Sequence, residues 1–286
     1  MTTIDLRAPS PSSPGAPTGD PVADEQRSWF GEVFRFRKAW IPSLVGIAVL
    51  LVVWQVVGLT IFSKSRTVPP PTHILSTMKE DGWEFYWANI QVTLKVAAKG
   101  WFYGNVAAIV TAIAFIQVPF VERILMQVAV ASYCLPTVAI GGVLILALPT
   151  GDQPKIVLAA LSCFFTTLVG MHVGLKSVDR SSLDLVRAYG GGTWTQLMKV
   201  RLRSCLPSLF AGLRIAAPAA MLGTIIGEWL GSENGLGVAM VNSQQALLIE
   251  RTWGIALTIT LLSAAAYGVT ALVAKLLTPW APKVGR

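Results

Sequence analysis

Charge is scarce in this chain. Only 13% of its 286 residues are Asp, Glu, Lys or Arg, about half the share usual for soluble domains, and they cluster between long apolar runs. With 53% of residues hydrophobic, there is too little charge to cover a soluble surface, so the composition implies an integral membrane protein with several helical spans. Cysteine is rarer still. Cys134, Cys163 and Cys205 sit in or beside apolar runs without C-x-x-C spacing, so neither a disulfide framework nor a metal site is expected, and all three read as small buried hydrophobes. His73 and His172 lie far apart without partners at ligand spacing and read as structural. The chain also lacks G-x-x-x-x-G-K-[ST], H-E-x-x-H and G-x-S-x-G, and with them any sign of an enzyme active site.

What charge there is leans positive, to a formal net of +8. In a membrane protein this excess belongs to cytoplasmic loops. No basic patch interleaved with aromatics points to nucleic acid as a partner.

Residues 1–28 contain APSPSSPGAPTGDP, a composition that cannot bury enough apolar surface to offset chain entropy, so a disordered cytoplasmic tail is expected. The basic-then-apolar pattern of a signal peptide is missing, and the tail is expected on the mature protein. Arg27, Arg35, Arg37 and Lys38 then alternate with Trp29, Phe30, Phe34 and Phe36 as an interfacial anchor on the inner face. Residues 29–286 are expected to form one six-span membrane domain. Apolar runs predict six spans, at about 39–62, 88–116, 124–148, 155–175, 208–230 and 252–277, each able to cross a hydrocarbon core of roughly 30 Å. An inside N-terminus and six crossings put both termini in the cytoplasm. Pro136 and Gly141-Gly142 interrupt the third span and predict a kink there.

Ionisable residues inside spans are costly and default to functional candidates. Here these are Glu228 near the outer end of the fifth span and Lys95 and Lys99 one helical turn apart in the second. The two lysines lie at the same outer level as Glu228 and are possible ion-pair partners for it. They also suit snorkelling to the surface or electrostatic attraction of an anion.

Between the fourth and fifth spans lies one polar, helix-capable stretch, Ser181 to Pro207. Four crossings place it in the cytoplasm, and its Lys176, Arg180, Arg187, Lys199, Arg201 and Arg203 agree independently. It reads as two short helices broken at Gly190-Gly191-Gly192, with Ser181 and Thr193 as N-caps followed three residues later by Asp184 and Gln196.

Asp184-Leu185-Val186-Arg187-Ala188-Tyr189-Gly190 with Val200-Arg201-Leu202 resembles the E-A-A-x-x-x-G-x9-I-x-L-P signature of permease subunits in ATP-binding-cassette (ABC) importers. Leu206-Pro207, Ala211-Gly212-Leu213-Arg214, Gly227-Glu228 and Gly235-Leu236-Gly237 are similar to the pattern of the branch that serves taurine, alkanesulfonates, nitrate, bicarbonate and some vitamin precursors. Asp184 stands where Glu is usual, Leu185 and Val186 replace two alanines, and Arg203 occupies a proline position. The resemblance implies an all-α, MetI-like permease fold in which segment 181–203 is a coupling helix seated on a partner ATPase. Leu183, Val186 and Tyr189 would then supply apolar contact, Asp184 and Arg187 orientation, and Gly190 the turn. It further implies ABC ATPase subunits that bind ATP and Mg, a second copy of the permease, an extracytoplasmic solute-binding protein, and residence in a bacterial cytoplasmic membrane. No cofactor is expected in this chain. An ion-coupled secondary transporter or channel is the alternative, and it predicts more intramembrane charge or inverted repeats than the chain contains.

Overall fold

The computed structural model describes residues 42, 44–63, 67–133, 135–149 and 151–280. The N-terminal tail, the basic and aromatic cluster that follows it, most of the beginning of the first expected span, Cys134 and residues 281–286 lie outside the described residues. Among the described residues every regular element is helical, as the long apolar runs require. The chain divides into two compact units, 1–57 and 58–286. The first carries most of α1 (Leu44–Thr60), whose aliphatic side chains turn outward.

The second unit contains α2 (Pro71–Gln117), α3 (Pro119–Tyr133), α4 (Thr137–Ala147), α5 (Gln153–Lys176), α6 (Arg180–Ala188), α7 (Thr193–Gln196), α8 (Leu202–Gly231), α9 (Leu236–Gln245) and α10 (Ile249–Leu277). Four helical stretches here are long and apolar enough to cross a membrane: α2, α5, the continuous run Thr193–Gly231, and α10.

The expected boundaries shift at three places. The second span was placed at 88–116, yet the helix already starts at Pro71, where a proline at N1 suits helix entry, and it bends only at Gly82, whose φ is +78°. The third span is not one helix: α3 and α4 meet at Leu135-Pro136, with Pro136 extended at φ −60°, ψ 120°. Proline has no N–H to give and biases its predecessor away from helix. The fifth span begins well before residue 208, because α7 passes through a π-helical turn, Leu197–Arg201, directly into α8. The second helix of the polar stretch is therefore the N-terminal end of a long spanning helix. The fourth and sixth spans fall on α5 and α10 within a few residues.

The core forms where α5 lies between α2 and α8, and small residues let these backbones touch. A Cβ on Gly104 of α2 would lie 2.5 Å from the Ala160 carbonyl oxygen, and one on Gly174 of α5 would lie 2.9 Å from Cys205 Cα. Asn105 and Thr167 are hydrogen-bonded to each other across the α2–α5 seam, so neither polar side chain is stranded. Cys163 and Cys205 are fully buried and unoxidised.

Candidate functional site

Two polar regions stand at opposite ends of α8. At the C-terminal end of α8 Glu228 is 1% exposed. Its Oε1 accepts a hydrogen bond from Thr93 Oγ1 at 2.8 Å and its Oε2 one from the Gly237 N–H at 2.7 Å. Thr93 Oγ1 in turn accepts from the Leu236 N–H at 2.9 Å, and Asn89 Oδ1 accepts from the Gly235 N–H at 3.2 Å. Three N–H groups at the start of α9 thus find side-chain acceptors, two of them one turn apart on α2. A carboxylate is favourable at a helix N-terminus, where N–H groups lack intrahelical partners. The geometry also explains Gly235-Leu236-Gly237. Gly235 has φ +128°, and a Cβ there would lie 2.5 Å from Glu228 Oε1.

Lys95 and Lys99 do not pair with this carboxylate. Both are exposed, on the side of α2 opposite the glycines that face α5, because residues 95 and 99 fall on a different helical edge from Gly100 and Gly104. The buried cation nearby is Lys155, in the first turn of α5. Its Nζ lies 2.8 Å from Asp152 Oδ1 and 3.1 Å from Ser232 Oγ, and its Cα packs against Gly227, where a Cβ would come within 3.0 Å. Sequence spacing pointed to the lysines one turn apart and passed over Lys155, whose role depends on the meeting of α5 and α8. Asn89 and Thr93 were likewise missed, although their i, i+4 spacing on a spanning helix was a usable signal.

A further outer clamp joins α2 to α10. Arg251 Nε donates to Asp81 Oδ1 at 2.8 Å, and its guanidinium lies 5.4 Å from the Phe85 ring centroid.

The polar stretch at the other end of α8 behaves differently. α6 starts at Arg180 with Asp179 as N-cap, so Ser181 is not the cap; its hydroxyl donates back to Asp179 and holds that carboxyl below the ordinary range. Thr193 is likewise inside its helix, after Gly192. α6 ends in a Schellman motif: Gly191 N–H donates to Val186 O and Gly190 N–H to Arg187 O, both at 2.8 Å. Gly190 takes φ +77°, a region that costs any residue with a Cβ.

The apolar residues of this segment point two ways. Leu183 is buried and Val186 half-buried, while Leu185, Tyr189 and Trp194 are exposed, Tyr189 at 86%. The expected contact set therefore separates: Leu183 packs inward and Tyr189 is free. Leu185, noted in the sequence only as a departure from the signature, turns outward with it. Asp184 and Arg187 form an exposed pair at 3.1 Å.

This segment is tied to the bundle at the C-terminal end of α5. Arg201 donates to the Leu175 carbonyl at 2.8 Å, satisfying a helix-end acceptor. Glu122, at the start of α3, accepts from Lys176 and lies 3.1 Å from His172 Nε2. The hydrogen bond from Lys176, above all, draws the Glu122 carboxyl below its usual range.

Residues 104–281, more than half of the chain, match the family described as binding-protein-dependent transport system inner membrane component. The chain belongs to this family. It is a multi-pass membrane permease of an ABC importer for small solutes, and the sequence resemblance is borne out. A probable ABC transporter permease protein of Haemophilus influenzae is 29% identical over 73% of this chain and 85% of its own length. A putative aliphatic sulfonates transport permease protein of Bacillus subtilis is 28% identical over 74% and 77%. The riboflavin transport system permease protein of Chloroflexus aurantiacus is 27% identical over 82% and 88%.

Proposed function

We propose that residues 29–286 form a six-span permease domain that imports a small anion, such as a sulfonate, by passing movements of a partner ATPase into its spans. The observation that carries this reading is the construction of α6–α7. This segment exposes Leu185, Tyr189 and Trp194, bends at Gly190, and is continuous with α8 through the π turn. An apolar surface on a polar stretch calls for a protein partner, and continuity with a spanning helix lets that partner move the bundle as a rigid element. Segment 181–203 is thus the coupling segment. Leu185, Tyr189 and Trp194 meet the ATPase, Asp184 and Arg187 orient the approach, and Gly190 sets the turn, with Leu183 and Val186 anchoring α6 to its own chain.

The permease works as a homodimer with two ATPase subunits, which bind ATP and Mg and hydrolyse the nucleotide, while a solute-binding protein delivers substrate to the outer face. α1 and the α3–α4 pair complete the six crossings, both termini lie in the cytoplasm, and residues 1–28 are a cytoplasmic tail. The basic character of the 176–203 stretch supports this orientation. Glu228 is a structural carboxylate that fixes α9. Lys95 and Lys99 extend along the outer surface of α2 toward the headgroups.

Purification of the full chain in mild detergent with its neighbouring ATPase tests the reading. Recovery of a stoichiometric ATPase, lost on Tyr189→Asp with Leu185→Asp, is the expected result. Recovery of the permease without any ATPase would sink it.

A further inference from the structure

α8 is the most enclosed spanning helix, yet one strip of it is open. Ala211, Ile215, Leu222 and Trp229 are exposed, at spacings of four and seven that keep them on one face. Beside this strip stands Arg214. It is half-buried, its Nε is buried without a hydrogen-bond partner, and among the described residues no carboxylate pairs with it.

Its depth is unusual for an arginine. Gly212 packs against α5 at Thr166 and Thr167, where a Cβ would lie 3.0 Å from the Thr166 carbonyl oxygen. That point is the middle of α5. Along α8, Arg214 is fourteen residues from Glu228 and thirteen from Arg201, about 20 Å either way at 1.5 Å per residue. A span confined to 208–230 would put Arg214 near its inner end; the contact of its neighbour Gly212 with Thr166 and Thr167 sets it at mid-depth instead. A lipid-facing cation there is too far from either surface to snorkel comfortably, and such a residue normally faces a water-filled path or a partner. On its other side lies a cavity of about 440 Å³ lined by Phe210, Leu213, Ala217 and Met221 with residues of α2 and α10. These four offer no counter-ion.

We propose that Arg214 lines the translocation path on the open face of α8 and binds the oxyanion group of the solute as it passes mid-membrane. A guanidinium presents a planar set of donors that matches a sulfonate or carboxylate, and at this depth the charge is poorly screened. The inference rests on the importer reading and adds a residue and a charge sign to it.

The test uses the permease–ATPase complex in proteoliposomes during ATP turnover, with Cys134→Ala as background. Ala211→Cys, Ile215→Cys and Leu222→Cys are each treated with anionic sulfonatoethyl methanethiosulfonate and with its cationic trimethylammonium counterpart. All three are expected to react, with a preference for the anionic reagent at least about threefold above that of a free thiol. Arg214→Gln should erase that preference and Arg214→Lys should keep it. Where Arg214→Gln does not assemble, high salt on the Arg214 background should reduce the preference by screening. Absence of reaction at all three positions, or an anion preference that survives both Arg214→Gln and high salt, overturns the proposal. Failure of the ATPase to co-purify defeats the importer reading instead, and labelling of the permease alone then decides the role of Arg214 separately.

Discussion

The two ends of α8 solve opposite problems. At its C-terminal end Glu228, Thr93 and Asn89 satisfy the first N–H groups of α9, and the acceptors are supplied by this chain. At the other end α6 and α7 leave Leu185, Tyr189 and Trp194 in the open, with Gly190 holding the turn between them. A closed polar network makes a fixed frame, whereas an exposed apolar surface on a hinged segment is incomplete until a partner covers it. On the proposed coupling role, the first end holds shape and the second receives force.

Substitutions at the two ends should therefore separate stability from coupling. The largest loss of stability is expected for Glu228→Ala, which strands Thr93 and the Gly237 N–H in the interior. Thermal unfolding in detergent should report about 3 kcal/mol, and Glu228→Gln, which keeps an acceptor, should recover much of it. An equal loss in both variants would shift the emphasis from capping to charge. Gly235→Ala follows at about 2 kcal/mol, since its φ of +128° and the contact with Glu228 both resist a side chain.

Gly190→Ala should cost only about 1 kcal/mol, the penalty for a Cβ in the left-handed region. In the assembled transporter, however, substrate-stimulated ATPase activity should fall several-fold. Unchanged stimulation would remove Gly190 from the hinge.

Glu122 provides a pH-dependent intermediate case. Its folded-state carboxyl titrates below its ordinary value, so its contribution is present above that value and is lost as pH falls through the folded one. Since Lys176 is half exposed, Glu122→Gln should cost no more than about 1 kcal/mol at neutral pH. It should also flatten the acid limb of an unfolding-temperature profile. A profile superimposable on that of the unsubstituted chain would mean that the pair contributes nothing. The smallest effect on stability belongs to Tyr189→Ala, within about 0.5 kcal/mol because nothing among the described residues covers the ring. It should nevertheless produce one of the largest losses of coupling, read as ATPase recovery and solute uptake.

Much of the architecture was legible because apolar run length is a direct physical requirement of crossing a bilayer. α5 and α10 fell where their runs predicted. The runs were less informative where backbone continuity, rather than hydropathy, decides the boundary. α8 reaches back through polar residues to Thr193, since helix hydrogen bonding continues through Lys199 and Arg201 as readily as through leucine. α3 and α4 separate at Pro136, where the proline signal was read as a kink and the chain in fact leaves the helix.

Site residues divided along similar lines. Gly190 was legible because a left-handed turn favours glycine, and Glu228 because a carboxylate in an apolar run demands an explanation. Its partners were not legible. Thr93 stands 135 positions away, and the ion pair offered for Lys95 and Lys99 beside snorkelling does not form, because helical spacing shows which side chains share an edge without showing which edge faces inward.

Composition and run length by themselves determined that this protein is an all-helical membrane protein, and the signature between residues 184 and 202 indicated its family of permeases. These follow from local requirements: apolar length, charge placement, and the backbone angles that glycine and proline allow. Tertiary structure decided the rest. It buried Leu183 and exposed Tyr189, replaced two lysines by Thr93 and the N–H groups of α9 as the partners of Glu228, and moved Arg214 to the middle of the bundle. Each depends on which helices lie side by side, and that is set by small-residue contacts between segments far apart in the chain.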